Sequence, residues 1–121
     1  MIFTDNHDKA GGTLNAGATR LASRMVPADP FGKVARKKTL LNAVLTITAP
    51  GTPMFFMGQE FQATGIWHDD IPMGWRTAIS QQHPIFRAHR DLIDLRENLP
   101  ALWNSKIRSR ILANSLAPIL S

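Results

Sequence analysis

The sequence predicts an α/β fold built from two consecutive βα units. Two short β-favouring runs, Ile2–Thr4 and Thr52–Met57, are each followed downstream by a stretch with helical spacing of apolar residues. The second run contains four consecutive apolar residues, Met54 to Met57, and such a run is typical of a parallel strand covered on both faces. Strands that alternate with helices in one sheet are parallel and joined by right-handed crossovers.

The first helix is expected to run from about Phe31 or Lys33 to Thr48. Asp29 is the candidate N-cap, and Pro30 would occupy the first helical position. One face carries apolar or weakly polar residues at helical spacing, which predicts that this face is buried: Val34, Leu41, Val44, Leu45 and Thr48.

The second helix is expected to begin at Pro84 and to end near Asn98. Its apolar stripe has three- and four-residue spacing, which favours packing on one side: Ile85, Ala88, Leu92, Leu95 and Leu99. Opposite charges stand four residues apart on the other side, where such pairs support a helix: Arg87 with Asp91, and Arg90 with Asp94.

Composition is that of a chain that can form a core. Of the 121 residues, 44% are hydrophobic and only 19% are charged, unlike a disordered segment. The net charge of +5 would permit binding to nucleic acid. However, the basic runs Lys33–Lys38 and Lys106–Arg110 are not interleaved with aromatic residues suited to stacking on bases. We therefore expect solvated basic faces and no nucleic-acid partner.

Neither disulfides nor a membrane segment is expected. There is no cysteine, which excludes a disulfide framework and a thiolate metal site. Charges begin at Asp5, and no apolar signal region follows. The uncharged stretch Leu40–Met57 is long enough to span a bilayer, but it contains Asn42 and a Pro-Gly-Thr-Pro break. Two elements joined by a turn explain it better, so we expect a cytoplasmic protein with no membrane partner.

The densest polar cluster, Asn6-His7-Asp8, follows the first predicted strand. A carboxylate and an imidazole at the C-terminal end of a strand could serve acid–base chemistry, bind sugar hydroxyls or ligate a metal. Adjacent side chains at a strand end normally diverge, so joint chelation by His7 and Asp8 is not expected. The sequence alone leaves the first two roles open.

Two further groups of residues have chemical potential. His68-Asp69-Asp70 is a second candidate metal cluster, although in a polar loop it is more often solvated, and we expect no metal site. Trp67 and Trp75 could form aromatic platforms for a sugar or simply pack over their loop. Gln59-Glu60 ends the second predicted strand, either as hydrogen-bonding groups at the rim of a sheet or as a solvated turn.

The combination of IFTDNHD with APGTPMFFMGQEF resembles the α-amylase family of retaining α-glucan enzymes. The first stretch is similar to that family's last conserved region, at barrel strand seven, and the second to its strand eight. The GQEF ending, the following loop with DDIPMGW, and RAHRDLIDLREN most resemble bacterial 1,4-α-glucan branching enzymes and their near relatives. The similarity covers about residues 2–104.

The resemblance implies a partial (β/α)₈ TIM barrel, namely its last two βα units, in residues 1–104, with a tail of unknown structure in 105–121. Asp8 would be the family's third carboxylate, which grips hydroxyls of the sugar at the cleavage point. His7 would hydrogen-bond the same sugar, and Asn6 would either position the pair or serve as a turn residue. Gln59 and Trp67 would contact an α-glucan such as glycogen, starch or a maltooligosaccharide, whereas Glu60 would be structural. No cofactor is implied.

The sequence also departs from the family, because nothing in it corresponds to the nucleophile and general acid of barrel strands four and five. We therefore expect a C-terminal fragment of an α-glucan-active enzyme that is inactive alone and is completed by an upstream fragment. A branching enzyme is the favoured parent, and a hydrolytic α-amylase or a trehalose-releasing relative is the alternative. A non-catalytic carbohydrate-binding or barrel-completing module is a further alternative.

Overall fold

The computed structural model describes residues 1–11, 19–74 and 84–104. The predicted tail 105–121 and Trp75 lie outside these residues. Within the described ranges the chain forms five α-helices and one short 3₁₀ helix, Gln59–Phe61. The α-helices are α1 (His7–Ala10), α2 (Leu21–Met25), α3 (Lys33–Thr48), α4 (Pro84–Asn98) and α5 (Pro100–Trp103).

Two extended segments meet where the two strands were predicted. Ile2 and Pro53 form a single parallel bridge. The Ile2 N–H donates to the Thr52 carbonyl at 2.8 Å, and the Met54 N–H donates to the Ile2 carbonyl at 2.9 Å. The parallel direction agrees with two neighbouring β segments, but among the described residues this pairing does not extend into a strand.

The predictions of strands over Ile2–Thr4 and Thr52–Met57 are therefore wrong, because the described residues contain only an isolated bridge there. The partial barrel is not confirmed. The physical reason lies in competing side chains. The Thr4 carbonyl accepts a hydrogen bond from Arg24 at 3.0 Å, and the Phe56 N–H donates to the Gln59 side chain at 3.3 Å. These backbone groups are thus paired outside a β ladder.

The helix α3 has the predicted span, Lys33–Thr48, but a different N-cap. Its N-cap is Gly32, not Asp29, and no side chain caps it. The Gly32 N–H donates to the Asp29 carbonyl at 3.1 Å, so Pro30 and Phe31 belong to a turn that precedes the helix. The predicted role of Asp29 as cap is therefore wrong.

The buried face of α3 also differs from the prediction. Val34, Leu41 and Leu45 are 58%, 58% and 57% exposed. The buried positions carry mostly small residues, which allow close packing against α2 and α4: Ala35, Thr39, Ala43, Thr46 and Ile47. The hydroxyls of Thr39 and Thr46 donate to helix carbonyls at 3.0 and 2.8 Å, so burying them leaves no hydroxyl unpaired.

The helix α4 spans Pro84–Asn98, as predicted. Its buried residues are Ile85 and His89, one turn apart, and the His89 ring lies edge-on to Phe55 with centroids 4.7 Å apart. The predicted pairing of Arg90 with Asp94 is not what the structure shows. Arg90 instead binds its neighbour Asp91 at 2.9 Å, because both side chains are exposed and can turn toward each other.

Arg96 of α4 fastens the end of α3. Its guanidinium donates to the carbonyl of Gly51 at 2.6 Å, to that of Ala49 at 3.4 Å and to that of Ile47. These carbonyls lie at or just beyond the C-terminus of α3, where helix carbonyls have no partner within the helix. A cation at this end also interacts favourably with the helix dipole. No helix in the described part of the chain is long and apolar enough to cross a membrane.

Candidate functional site

The predicted polar cluster lies at the start of α1, a single helical turn. Asn6 is its N-cap, with an extended backbone and a side-chain oxygen that accepts the Lys9 N–H at 2.9 Å. The backbone carbonyl of Asn6 accepts from the Ala10 N–H at 2.9 Å. The structure thus shows Asn6 as a turn residue whose side chain satisfies a free N–H of the first turn, and its positioning of His7 and Asp8 stays a prediction.

His7 and Asp8 lie side by side and face solvent. The His7 Nε2 is 3.2 Å from the Asp8 Oδ1, and the two side chains are 67% and 70% exposed. The expectation that these side chains diverge is wrong, because they occupy the first turn of a helix and not the end of a strand. The resulting surface presents a carboxylate and an imidazole together, which suits hydrogen bonding to neighbouring hydroxyls.

Asp5 precedes this turn, is only 2% exposed, and binds both the turn and α2. Its Oδ1 accepts from the Asn6 N–H at 3.2 Å and from Arg24 at 3.0 Å, while its Oδ2 accepts from the Leu21 N–H at 3.0 Å. In the sequence, Asp5 is recognisable only as the first charge of a polar segment. A sequence carries no signal that pairs this residue with Arg24, because their contact arises from the packing of α2 against the turn.

Arg20 is a buried cation near the site and is 7% exposed. It donates to the Met57 carbonyl at 2.7 Å, and its guanidinium carbon lies 5.8 Å from the centre of the Phe56 ring. Burial lowers the pKa of Arg20, whereas the negative charges of Asp5 and Glu60 act to raise it. Arg20 was not identified from sequence either, because arginine in a short helical turn is usually solvated.

Gln59 connects the two extended segments. It is 6% exposed, its Nε2 donates to the Thr4 hydroxyl at 3.1 Å, and its Oε1 accepts from the Phe56 N–H. Both ends of the amide therefore bind within the chain, and contact with a substrate stays a prediction. Glu60 accepts from the Gly58 N–H at 2.9 Å, which is a structural contact. Gly58 has φ of 89°, a conformation that favours glycine.

Trp67 lies next to the end of α1. Its backbone N–H donates to the Ala10 carbonyl at 2.8 Å, and the residue forms a parallel bridge with Gly11. Its half-buried ring packs edge-on against Phe56 at 5.5 Å. The structure thus places the backbone of Trp67 beside the turn that carries His7 and Asp8, while a sugar-stacking role for its ring stays a prediction.

The second candidate metal cluster, His68-Asp69-Asp70, is exposed. Across residues 1–11, 19–74 and 84–104, no group of three or more potential ligands among His, Cys, Asp and Glu is arranged to hold a metal ion. The site therefore offers hydrogen-bonding and charge chemistry at His7 and Asp8, supported by buried ionic and amide contacts.

Comparison with curated proteins finds similarity to two kinds of enzyme. Over 83 residues the chain is 37% identical to the malto-oligosyltrehalose trehalohydrolase of Rhizobium sp. (strain M-11), covering 64% of this chain and 12% of that protein. Over 89 residues it is 35% identical to the 1,4-alpha-glucan branching enzyme GlgB of Nocardia farcinica, covering 73% and 12%. The chain is a relative of the α-amylase family. A 31% identity to the branching enzyme of Paramagnetospirillum magneticum, over 64% of this chain, agrees.

The family resemblance predicted from the sequence is thus confirmed, including a relationship to branching enzymes. The chain spans only 10 to 12% of the length of these curated relatives. No family model and no solved structure matches it. Because a trehalohydrolase and branching enzymes both match, the comparisons do not separate the favoured parent from its trehalose-releasing alternative.

Proposed function

We propose that this relative of the α-amylase family contributes the residues of an α-glucan site that hydrogen-bond the sugar at the cleavage point. Asp8 would be the third carboxylate, and His7 would hydrogen-bond the same sugar. The observation that carries the proposal is the exposed His7–Asp8 pair, 3.2 Å apart on a capped turn. This turn follows the segment in which Ile2 bridges Pro53 in parallel, as expected for neighbouring segments of a barrel. The similarity to α-glucan enzymes supports the same assignment.

The chemistry of the pair suits a sugar at the cleavage point. A carboxylate accepts hydrogen bonds from two adjacent hydroxyls, and an imidazole can donate one more. Hydrogen bonds that strengthen as the ring flattens toward an oxocarbenium ion stabilise the transition state over the ground state. Asp8 would therefore contribute to catalysis by binding the distorted sugar, without itself attacking it or giving up a proton.

A retaining mechanism also needs a nucleophile and a general acid, two carboxyl groups about 5–5.5 Å apart across the scissile bond. Asp5 cannot serve as either one, because it is buried and binds Arg24, Asn6 and Leu21. We propose that these two groups come from another segment of the barrel, such as an upstream fragment. The purified 121-residue chain should then cleave and transfer nothing, and turnover of amylose that disappears in Asp8→Asn would refute this.

The complete site would cleave an α-1,4 bond and pass the glycosyl group to a sugar hydroxyl, as a branching enzyme does. Transfer to water, with trehalose release or ordinary amylase hydrolysis, is the second candidate, and the similarity to two trehalohydrolases supports the trehalose-releasing form of it. The acceptor is chosen by residues around the site, so the His7–Asp8 pair would serve either reaction. A non-catalytic glucan-binding module would use the same pair without turnover.

The test is the retardation of the purified chain during native electrophoresis through gels that contain glycogen. The wild-type chain should be retarded, and both Asp8→Asn and His7→Ala should migrate nearly as in a glycogen-free gel. Asp91→Asn is the matched control, because Asp91 is also exposed and lies 2.9 Å from a neighbouring cation. Equal retardation of Asp8→Asn and the wild type, or none of the wild type, would refute the proposal. Salt-sensitive retardation by DNA alone would indicate a nucleic-acid binder.

A further inference from the structure

We infer that Arg24 is a positioning residue. Together with Asp5 it holds the turn that carries His7 and Asp8, so that the two side chains are placed to bind the sugar. The inference rests on the proposed function for its ligand, whereas the geometry behind it is independent of any ligand. Arg24 lies in the last turn of α2, 16 residues after Asp8 in the chain, and it contacts the residues on both sides of the pair.

The guanidinium of Arg24 reaches acceptors on both sides of the pair. Before the pair, it donates to the Thr4 carbonyl at 3.0 Å and to Asp5 Oδ1 at 3.0 Å. After the pair, it donates to the Lys9 carbonyl at 3.0 Å. A fourth contact, at 2.6 Å, goes to the Thr19 carbonyl. Three of these contacts, to Asp5, Lys9 and Thr19, share the two N–H groups of Nη1, and the contact to Thr4 comes from Nη2. The planar guanidinium fixes the directions of these N–H groups, and the single ammonium group of a lysine cannot reproduce them.

Asp5 connects Arg24 to the starts of both α1 and α2. Its Oδ2 accepts the Leu21 N–H, at the start of the helix whose last turn carries Arg24. Its Oδ1 accepts both Arg24 and the Asn6 N–H at the N-cap of α1. The carboxylate is almost fully buried, so its charge depends on these partners. The start of α2 and the start of α1 are thereby fixed to each other.

The effect on the site passes through the backbone. Arg24 donates hydrogen bonds to Asp5 and to the carbonyls of residues 4, 9 and 19, whereas His7 and Asp8 themselves are exposed. Holding the carbonyls at 4 and 9 fixes both ends of the turn that presents the pair. Because misplacement of a binding group by about 1 Å can cost on the order of a hundredfold in activity, this restraint matters for a sugar contact.

The first experiment measures hydrogen exchange by mass spectrometry on the full chain, because this reports the turn without any ligand. Arg24→Lys keeps the positive charge but removes the planar guanidinium and its hydrogen bonds to the carbonyls around the turn. Exchange should therefore accelerate at the amides of Lys9, Ala10 and Gly11, which are hydrogen-bonded to residues of the same turn. The matched control is Arg96→Lys, since Arg96 also binds three backbone carbonyls but at the end of α3. That control should accelerate exchange around positions 47–51 and leave the α1 amides unchanged.

The second experiment is glycogen retardation at a temperature where both variants stay folded. Arg24→Lys should weaken the apparent affinity by about tenfold, and Arg96→Lys should leave it within about twofold of the wild type. If Arg24→Lys fails to fold, Asp5→Asn, which keeps the size of the side chain, should give the same pattern.

The results distinguish failure of the positioning role from failure of the proposed function. Loss of glycogen affinity in Arg96→Lys equal to that in Arg24→Lys would show a merely structural role and overturn the inference. Unchanged α1 exchange in Arg24→Lys, or α1 amides that are unprotected in the wild type, would overturn it as well. If the wild type is not retarded by glycogen while α1 exchange still accelerates in Arg24→Lys alone, the proposed function fails and the positioning role stands.

Discussion

The backbone N–H of Trp67 donates a hydrogen bond of 2.8 Å to the carbonyl of Ala10, the last residue of α1. Gly11 extends this contact as a parallel bridge. The turn that presents His7 and Asp8 is therefore held by a loop more than fifty residues later in the chain. The two backbones approach closely at Gly11, where a Cβ has no room, and replacing Gly11 by alanine tests this approach.

Gly11→Ala should destabilise the chain by about 1–3 kcal/mol, the usual cost of forcing extra volume into a packed site. A Cβ at this position would lie 2.1 Å from the Trp67 carbonyl oxygen, a backbone atom that cannot move aside alone. Denaturant unfolding measures the free energy. Gly74→Ala is the control, because a Cβ there meets no atom within 4 Å. Equal stability of the two variants would contradict the close approach.

Helix spans could be predicted from sequence, because the apolar spacing and the prolines around them are local signals. The bounds Lys33–Thr48 and Pro84–Asn98 agree with the expectation. The buried face of α3 could not be predicted from sequence, because closely packed helices bury small residues at positions where large apolar residues are expected. There the small Ala43 and the threonine Thr46, whose hydroxyl binds its own helix, take the interior.

The sequence identified the exposed pair of the candidate site but not the contacts that hold it. The motif identified His7 and Asp8 because a carboxylate beside an imidazole is recognisable without a structure. The buried contacts that hold them, from Asp5 and Arg24, depend on which elements pack together, and a single sequence does not encode that in any local pattern. For the same reason the strand prediction failed: side chains of Arg24 and Gln59 occupy backbone groups that a longer ladder would need.

Acidification should lower the free energy of unfolding through His89. Its ring is 2% exposed, Nδ1 donates to the Ile85 carbonyl at 2.8 Å, and Nε2 has no partner among the described residues. Burial lowers the pKa of His89, although that carbonyl and the charge of Glu60 act in the opposite direction. The folded chain thus holds the neutral ring, while the unfolded chain takes up a proton near pH 6.5.

Because the unfolded state binds more protons in this range, stability should decrease as the pH falls from about 7 to 5. Urea unfolding across that range measures the slope. His89→Leu should flatten it, whereas His68→Gln, at an exposed histidine, should keep it. A slope that is identical in the wild type and in His89→Leu would show that His89 is not buried neutral in solution.

The purified chain should self-associate through α3. Val34, Leu41 and Leu45 are each more than half exposed and recur at helical spacing, which leaves an apolar stripe without cover in the described structure. Sedimentation velocity should show oligomers that dissociate in the double variant Leu41→Glu with Leu45→Glu. The double variant Lys33→Gln with Lys37→Gln makes the same change in net charge on exposed positions of the same helix and should still associate. A monodisperse wild-type monomer with a sharp cooperative thermal transition would contradict this.

The most direct test of the central claim, that Asp8 grips the sugar at the cleavage point, is a graft into a complete enzyme. The segment of the Nocardia farcinica branching enzyme that matches this chain is replaced by residues 2–104 of this chain, which include Asp8, and steady-state branching kinetics are measured. The graft should retain activity, and Asp8→Asn within it should lower kcat by about 100-fold or more with a smaller change in KM, because the contact strengthens in the transition state. Asp91→Asn should leave kcat unchanged. An Asp8→Asn graft as active as its parent would contradict the claim.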